Sequence, residues 1–322
     1  MSAAPPAPSS SAGTASSVPA DRDGATTAAP FGARLAAAMD DHGPLCAGID
    51  PHATLLASWG LADTAAGVRE FSLRVVEALA GHVAAFKPQA AFYERHGSAG
   101  LAALEETLAA ARAAGTLTIV DAKRGDIGST MAAYADAFLR DGSPLAGDAL
   151  TVSPYLGFGS LDPAVDLAAA TGRGLFVLCL TSNPQGREVQ HARTSAAPGH
   201  GAEPAPATTV APTVAAAVAA HAAARNAGVT PMGSVGLVVG ATIGDAAAAT
   251  GTDLAAVNGP LLAPGVGAQG AGEKELATTF GDARHRVLAS SSRGILRAGP
   301  APEALRTAAR RAAETATRAL RG

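Results

Sequence analysis

From Leu45 onward, apolar runs of strand length alternate with Ala- and Leu-rich helical stretches, and this alternation limits the possible folds more than any other feature of the chain. Leu45–Asp50 (LCAGID), His82–Lys87 (HVAAFK), Leu117–Lys123 (LTIVDAK), Ala149–Ser153, Leu175–Leu180, Val235–Gly240, Leu261–Gly265 and Val287–Ser290 read as strands. Helices are expected around Thr64–Ala80, over Leu101–Ala114 and through Ser129–Asp141. A strand that returns to its own sheet through a helix lies parallel to its predecessor, and eight such units can close on themselves. The expected fold is therefore α/β, a single-domain (β/α)8 TIM barrel. A doubly wound open sheet is the competitor. The chain has no GxGxxG after the first strand and no GxxxxGK[ST] anywhere, so the phosphate loops that usually accompany that fold are missing.

Of the 322 residues, roughly 250 are expected to fold. Residues 1–30 are rich in Ala, Pro, Ser and Thr, and lack both a charged start and a continuous apolar stretch. They read as a disordered tail rather than a signal peptide or membrane span, which gives the expectation of a soluble, cytoplasmic protein. Residues 31–322 then form the barrel, with a long loop insertion at about 183–210. That segment, from Ser182 to Val210, exceeds the roughly 12–15 residues usual for a structureless loop. It reads either as a lid or as an idle insertion; its Pro/Ala/Gly/Thr composition favours a mostly disordered excursion. Pro302–Arg321 reads as a closing amphipathic helix with solvated arginines. A net charge of −3 with scattered basic residues offers no footprint for nucleic acid or an anionic membrane, so a small-molecule substrate is expected. Both cysteines, Cys46 and Cys179, fall in strand-like runs and read as small buried hydrophobes rather than a disulfide or a reactive thiol.

One strand after another ends in a polar residue where its apolar run stops. The first delivers Asp50, the second Lys87, the third Asp121 and Lys123, the fifth Ser182, and the loops after the seventh and eighth deliver Gln269 and Arg293. In a barrel these ends meet at the C-terminal mouth, where active sites lie. Asp121 and Lys123, two apart, are expected on one face, with Asp126 in the following turn: one ammonium between two carboxylates. Two readings stand. One is a structural salt-bridge network; the other is a lysine kept protonated as a proton donor. Lys87 adds a second ammonium. The glycine-rich stretch Gly265–Gly272 is either a moving element or a plain βα turn.

The segment DAKRGDIGST at Asp121–Thr130 resembles the signature of orotidine 5′-phosphate decarboxylases, in particular a bacterial subgroup with extended loops. GIDP at Gly48–Pro51, FKPQ at Phe86–Gln89, TSNP at Thr181–Pro184 and APGVGAQG at Ala263–Gly270 resemble further motifs of that subgroup, in the same order. The resemblance implies a TIM barrel that converts orotidine 5′-phosphate to uridine 5′-phosphate and CO₂, the last step of de novo UMP synthesis, with no metal and no cofactor. It implies that Lys123 protonates C6 of the pyrimidine, that Asp121 faces the departing carboxyl group, and that Lys87 bridges the charged array and the ribose. It further implies that Asp50 holds a ribose hydroxyl, Ser182 contacts the pyrimidine edge, Pro264 lines the substrate site, and Gln269 and Arg293 grip the phosphate. Asp126, Ile127 and Thr130 are expected to reach the neighbouring subunit's site, which implies a homodimer with shared active sites.

Two features depart from the family outline. The eighth strand ends Ser290-Ser291-Ser292-Arg293-Gly294, where many barrel phosphate sites have a glycine before the polar residue, and the Ser182–Val210 excursion is long even for extended loops. Two other readings are weighed. A Mg²⁺-dependent enzyme of keto-sugar phosphates would share DxKxxD but needs an acidic metal ligand where Lys87 stands. A non-catalytic nucleotide-binding protein would bind uridine 5′-phosphate without turnover.

Overall fold

The structure is a computed structural model that describes residues 29–194, 211–266 and 273–321. The eight expected strands form: β1 Leu45–Ile49, β2 Ala85–Pro88, β3 Leu117–Arg124, β4 Ala149–Val152, β5 Gly174–Leu180, β6 Val235–Val239, β7 Leu261–Pro264 and β8 Val287–Ser291. Each pairs in parallel with the next, and β8 pairs with β1, so the sheet closes as a barrel in chain order. β2 begins at Ala85 rather than His82; Val83 and Ala84 are buried but precede the ladder.

The two-residue period of a strand sorts the side chains into an outer and an inner set. Outward residues such as Leu45, Val120, Leu150, Leu237 and Leu261 join the large core between the sheet and its helices. Inward residues Cys46, Ala85, Ile119, Ala149, Phe176, Val238, Leu262 and Leu288 form a second core inside the barrel. Two residues further along each strand, the same inner face brings Gly48, Lys87, Asp121, Thr151, Leu178, Gly240, Pro264 and Ser290 towards the C-terminal mouth.

The inner core is completed by a helix that the sequence reading did not identify. Phe31–His42 places Phe31, Leu35 and Met39, one stripe at i, i+4 and i+8, into the inner cluster. Phe31 meets Phe176 edge to face, with centroids 5.9 Å apart. Gly32 lies so close to the chain before β6 that an added Cβ would sit 2.3 Å from the carbonyl oxygens of Met232 and Gly233, and its N–H donates to Ser234 Oγ at 3.1 Å. Arg34 anchors the helix by donating to Asp148 Oδ1 at 2.5 Å and to the Gly172 carbonyl at 3.0 Å. The helix therefore plugs the N-terminal end of the barrel, opposite the mouth.

The segment after β5 is more ordered at its margins than its composition suggests. Pro184–Gly186 forms a 3₁₀ turn, Arg187–Gln190 one helical turn, and Arg193 forms a β-bridge with Thr213. Residues 195–210 lie outside the described residues, as does nearly all of the expected tail. Pro302–Arg321 is the expected amphipathic helix, with Leu305, Ala309, Ala316 and Leu320 buried. Cys46 and Cys179 are free and buried. Among the described residues no helix is long and apolar enough to cross a membrane.

If the plug is part of the core, Phe31→Ala should destabilise the barrel by about 3–5 kcal/mol, the usual cost of emptying a buried phenylalanine site. Chemical denaturation followed by circular dichroism measures this, and a loss under about 1 kcal/mol would show that the helix is only loosely attached.

Candidate active site

At the mouth, Asp121 on β3 receives hydrogen bonds from two ammonium groups: Lys87 Nζ donates to Oδ2 and Lys123 Nζ to Oδ1, each at 2.5 Å. The expected ammonium between two carboxylates is thus a carboxylate between two ammoniums. The Thr151 hydroxyl on β4 donates to the same Asp121 Oδ1 at 2.9 Å and accepts from the Lys123 N–H at 2.9 Å. Lys87 and Asp121 are almost sealed, whereas the Lys123 side chain is 44% exposed, so only one of the two ammoniums faces open space.

The electrostatics follow from this geometry. Burial pushes the Asp121 carboxyl upward, but attraction to Lys87 and then Lys123, with their hydrogen bonds, outweighs it and brings the pKa to about 2. Burial opposes the charge on Lys87, but Asp121 and Asp50 overcome it and hold the ammonium above its ordinary range. The Cys46 thiol, just below this layer, is pushed up to about 12 by burial, with Asp121 and Asp50 adding to the rise and Lys87 opposing it. Asp50 Oδ1 is buried and accepts no hydrogen bond among the described residues. A polar atom left in this state invites a hydroxyl donor from a ligand.

Asp50, Lys87, Asp121 and Lys123 line a cleft of about 360 Å³ that also includes Gln89, Ser182, Asn183, Pro264, Ser292 and Arg293. Six of the predicted residues besides Asp121 therefore converge there: Asp50, Lys87, Lys123, Ser182, Pro264 and Arg293. Arg293 begins the short helix Arg293–Leu296 and forms no ion pair among the described residues, which leaves its guanidinium free for an anion. Gln269 and most of the glycine-rich stretch lie outside the described residues. Asp126, Ile127 and Thr130 do not line this cleft. Asp126 Oδ1 accepts from the Ile127 N–H at 2.8 Å, and Ile127 is 62% exposed. Arg124, within the same motif, points outward to Glu94 and over the Tyr134 and Phe138 rings, so its role is structural.

Two contributors escaped the sequence reading. Thr151 is the one polar residue in the ALTV run, and its inward parity with Ala149 was a usable signal. Gly48 lets the end of β8 approach: an added Cβ would sit 2.7 Å from Ser292 Cβ.

A sequence profile of the Orotidine 5'-phosphate decarboxylase / HUMPS family matches residues 43–308. The chain belongs to that family. It is 60% identical over 282 residues to the orotidine 5'-phosphate decarboxylase of Streptomyces coelicolor, covering 88% of this chain and 95% of the relative. The orotidine 5'-phosphate decarboxylase of Nocardioides is 56% identical over 268 residues, 83% of this chain and 92% of the relative. A Streptomyces avermitilis protein of solved structure superposes with a TM-score of 0.83 at 60% identity, over 91% of this chain and 97% of that one. The OMP decarboxylase of Leishmania donovani does so with a TM-score of 0.66 at 30% identity, over 91% and 100%. The family match starts at residue 43, just after the plug helix, and ends within the last helix, so it spans all eight strands.

The Asp121 carboxyl titrates below its ordinary value near 4, so its ionised form contributes stability that is complete above that value and is lost as pH falls towards about 2. Thermal melts across this window should show a steeper acid decline for the wild type than for Asp121→Asn, by about one proton in the linkage slope. Equal slopes would mean that Asp121 is not held ionised by the array.

Proposed function

We propose that this protein decarboxylates orotidine 5′-phosphate to uridine 5′-phosphate without a metal or organic cofactor, and so completes UMP synthesis. The observation that carries the reading is the Lys87–Asp121–Lys123 array at the mouth of the barrel, with Asp50 on one side and Arg293 on another. The identity to relatives named for this activity supports it.

In the proposed reaction the bond between C6 and the carboxyl carbon breaks, CO₂ leaves, and the electron pair stays on C6. The Lys123 ammonium stabilises that pair through a preorganised charge and then delivers a proton to it. Asp121 fixes the Lys123 head and faces the departing carboxylate. Lys87, held charged beneath, is offset by Asp50, so that two ammoniums match two carboxylates, and it reaches the ribose. Asp50 offers its unpartnered oxygen to a ribose hydroxyl, Ser182 meets the pyrimidine edge beside Pro264, and Arg293 with Gln269 holds the phosphate. Binding energy from the phosphate, remote from C6, can then serve the reacting carbon.

The family to which the chain belongs carries two names, and its HUMPS branch invites the Mg²⁺-dependent reading. Lys87 argues against it: an ammonium bound to Asp121 occupies the place of an acidic ligand and repels a divalent cation.

The proposal includes a homodimer with shared sites. Its support is the position of Asp126, Ile127 and Thr130 outside their own cleft, together with an exposed apolar group formed by Ile127, Tyr155 and Leu156 on adjacent loops. Those loops touch, since Gly125 leaves no space for a Cβ against the Ser153 carbonyl. A cytoplasmic location fits the two free, buried thiols.

Chelator-treated protein should consume orotidine 5′-phosphate, followed by loss of its ultraviolet absorbance, and Lys123→Ala should lose nearly all turnover while still binding uridine 5′-phosphate. Activity abolished by EDTA, or retained in Lys123→Ala, would refute the mechanism. Mixing inactive Lys123→Ala with inactive Asp126→Ala should restore part of the activity through hybrid dimers; no recovery after subunit exchange would rule out shared sites.

A further inference from the structure

The β3–β4 ladder is irregular at the array. Val120 is level with Leu150 and Arg124 with Val152, so four steps along β3 oppose two along β4. The residues between, Asp121 to Lys123, lie opposite Thr151 alone and form a bulge, within which Lys123 holds a left-handed backbone at φ 49°. A side chain on such a backbone is strained, and it persists only where neighbours fix it. The regular ladder does not supply that restraint, because the bulge takes the Lys123 N–H out of register with the β4 carbonyls.

The Asp121 and Arg124 carbonyls that flank the bulge accept from the Ala90 and Ser153 N–H groups, at 3.2 and 2.7 Å, but the Lys123 N–H itself is held by one side chain. Thr151 is buried, faces inward from β4, and spans the bulge with its hydroxyl: the oxygen accepts the Lys123 N–H at 2.9 Å, and the proton goes to Asp121 Oδ1 at 2.9 Å. Lys123 Nζ contacts that same Oδ1 at 2.5 Å. The hydroxyl thus binds both ends of a closed circuit that runs from the lysine backbone through Thr151 and Asp121 to the lysine ammonium. A threonine suits this task, since its branched side chain has few rotamers and its one hydroxyl can donate and accept at once.

We propose that Thr151 is a positioning residue that sets the backbone and the head of Lys123 together, an inference that rests on Lys123 acting as the proton donor. Valine has the shape of threonine without the hydroxyl. Thr151→Val should lower kcat by about tenfold or more with KM changed less than about threefold, because a slightly misplaced donor costs the chemical step rather than binding. Thr151→Ser, which keeps the hydroxyl, should stay within about threefold of the wild type. Amide hydrogen exchange at Lys123, read by NMR, should be about tenfold faster in Thr151→Val and unchanged in Thr151→Ser.

Wild-type kcat in Thr151→Val, a matched loss in kcat and binding, or failure of serine to rescue would overturn the inference. Should Thr151→Val not fold, the wild type still decides: a Lys123 amide exchanging as fast as an open loop would overturn it, and strand-like protection would support it. If Lys123→Ala remains active, the proton-donor reading fails by itself, while the exchange data still report whether Thr151 holds the bulge.

Discussion

Asp121 is the constraint around which the mouth of the barrel is built. Its carboxylate is almost fully buried, a state that costs several kcal/mol for an unpaired ion. It is tolerable only because Lys87, Lys123 and Thr151 converge on its two oxygens. Those partners come from three strands, β2, β3 and β4, so the charge cluster fixes the local arrangement of the sheet as much as the sheet fixes the cluster. As a contribution to stability such a cluster is near break-even, because apolar residues of similar volume pack at least as well. Its retention at the mouth, with one ammonium left accessible, is better explained by chemistry than by folding.

The barrel divides this work along its axis. Its lower half is a dry core in which Phe31, Leu35 and Met39 meet inward side chains of the strands, and it asks only for volume and shape. One strand step higher, the same inward positions carry Lys87, Asp121, Thr151 and Pro264. The tight core beneath gives these polar groups a stiff floor, which a preorganised site requires. Gly48 has a matching role at the rim: by lacking a Cβ it brings Ser292, and with it the start of the Arg293 helix, close to the first strand.

Much of this was legible in the sequence, for identifiable reasons. Strands with both faces buried appear as apolar runs, and the polar residue at or just beyond the end of each run marks the mouth, so Asp50, Lys87, Asp121, Lys123, Ser182 and Arg293 are assignable to one cleft from the sequence, while Pro264 follows only from the family resemblance. What the period of a strand does not encode is a bulge. Counting along β3 puts Lys123 on the face of Asp121, where the two meet, but it does not reveal the register shift, and Asp126 turns to the Ile127 N–H without lining the cleft. Thr151 escaped because a hydroxyl in an apolar run looks like an ordinary strand residue. The plug helix escaped because its stripe of Phe31, Leu35 and Met39 abuts the low-complexity tail.

The plug also bears on the order of events during synthesis. It precedes every strand in the chain, yet its inner cluster includes side chains from strands as late as β8, and β1 closes the sheet only by pairing with β8. A nascent chain therefore carries an amphipathic helix with no finished seat, and an open sheet edge beside it, until β8 has emerged. For this barrel, closure of the core waits for β8, and any factor that shields Phe31–His42 during elongation would act on folding yield without touching the finished enzyme.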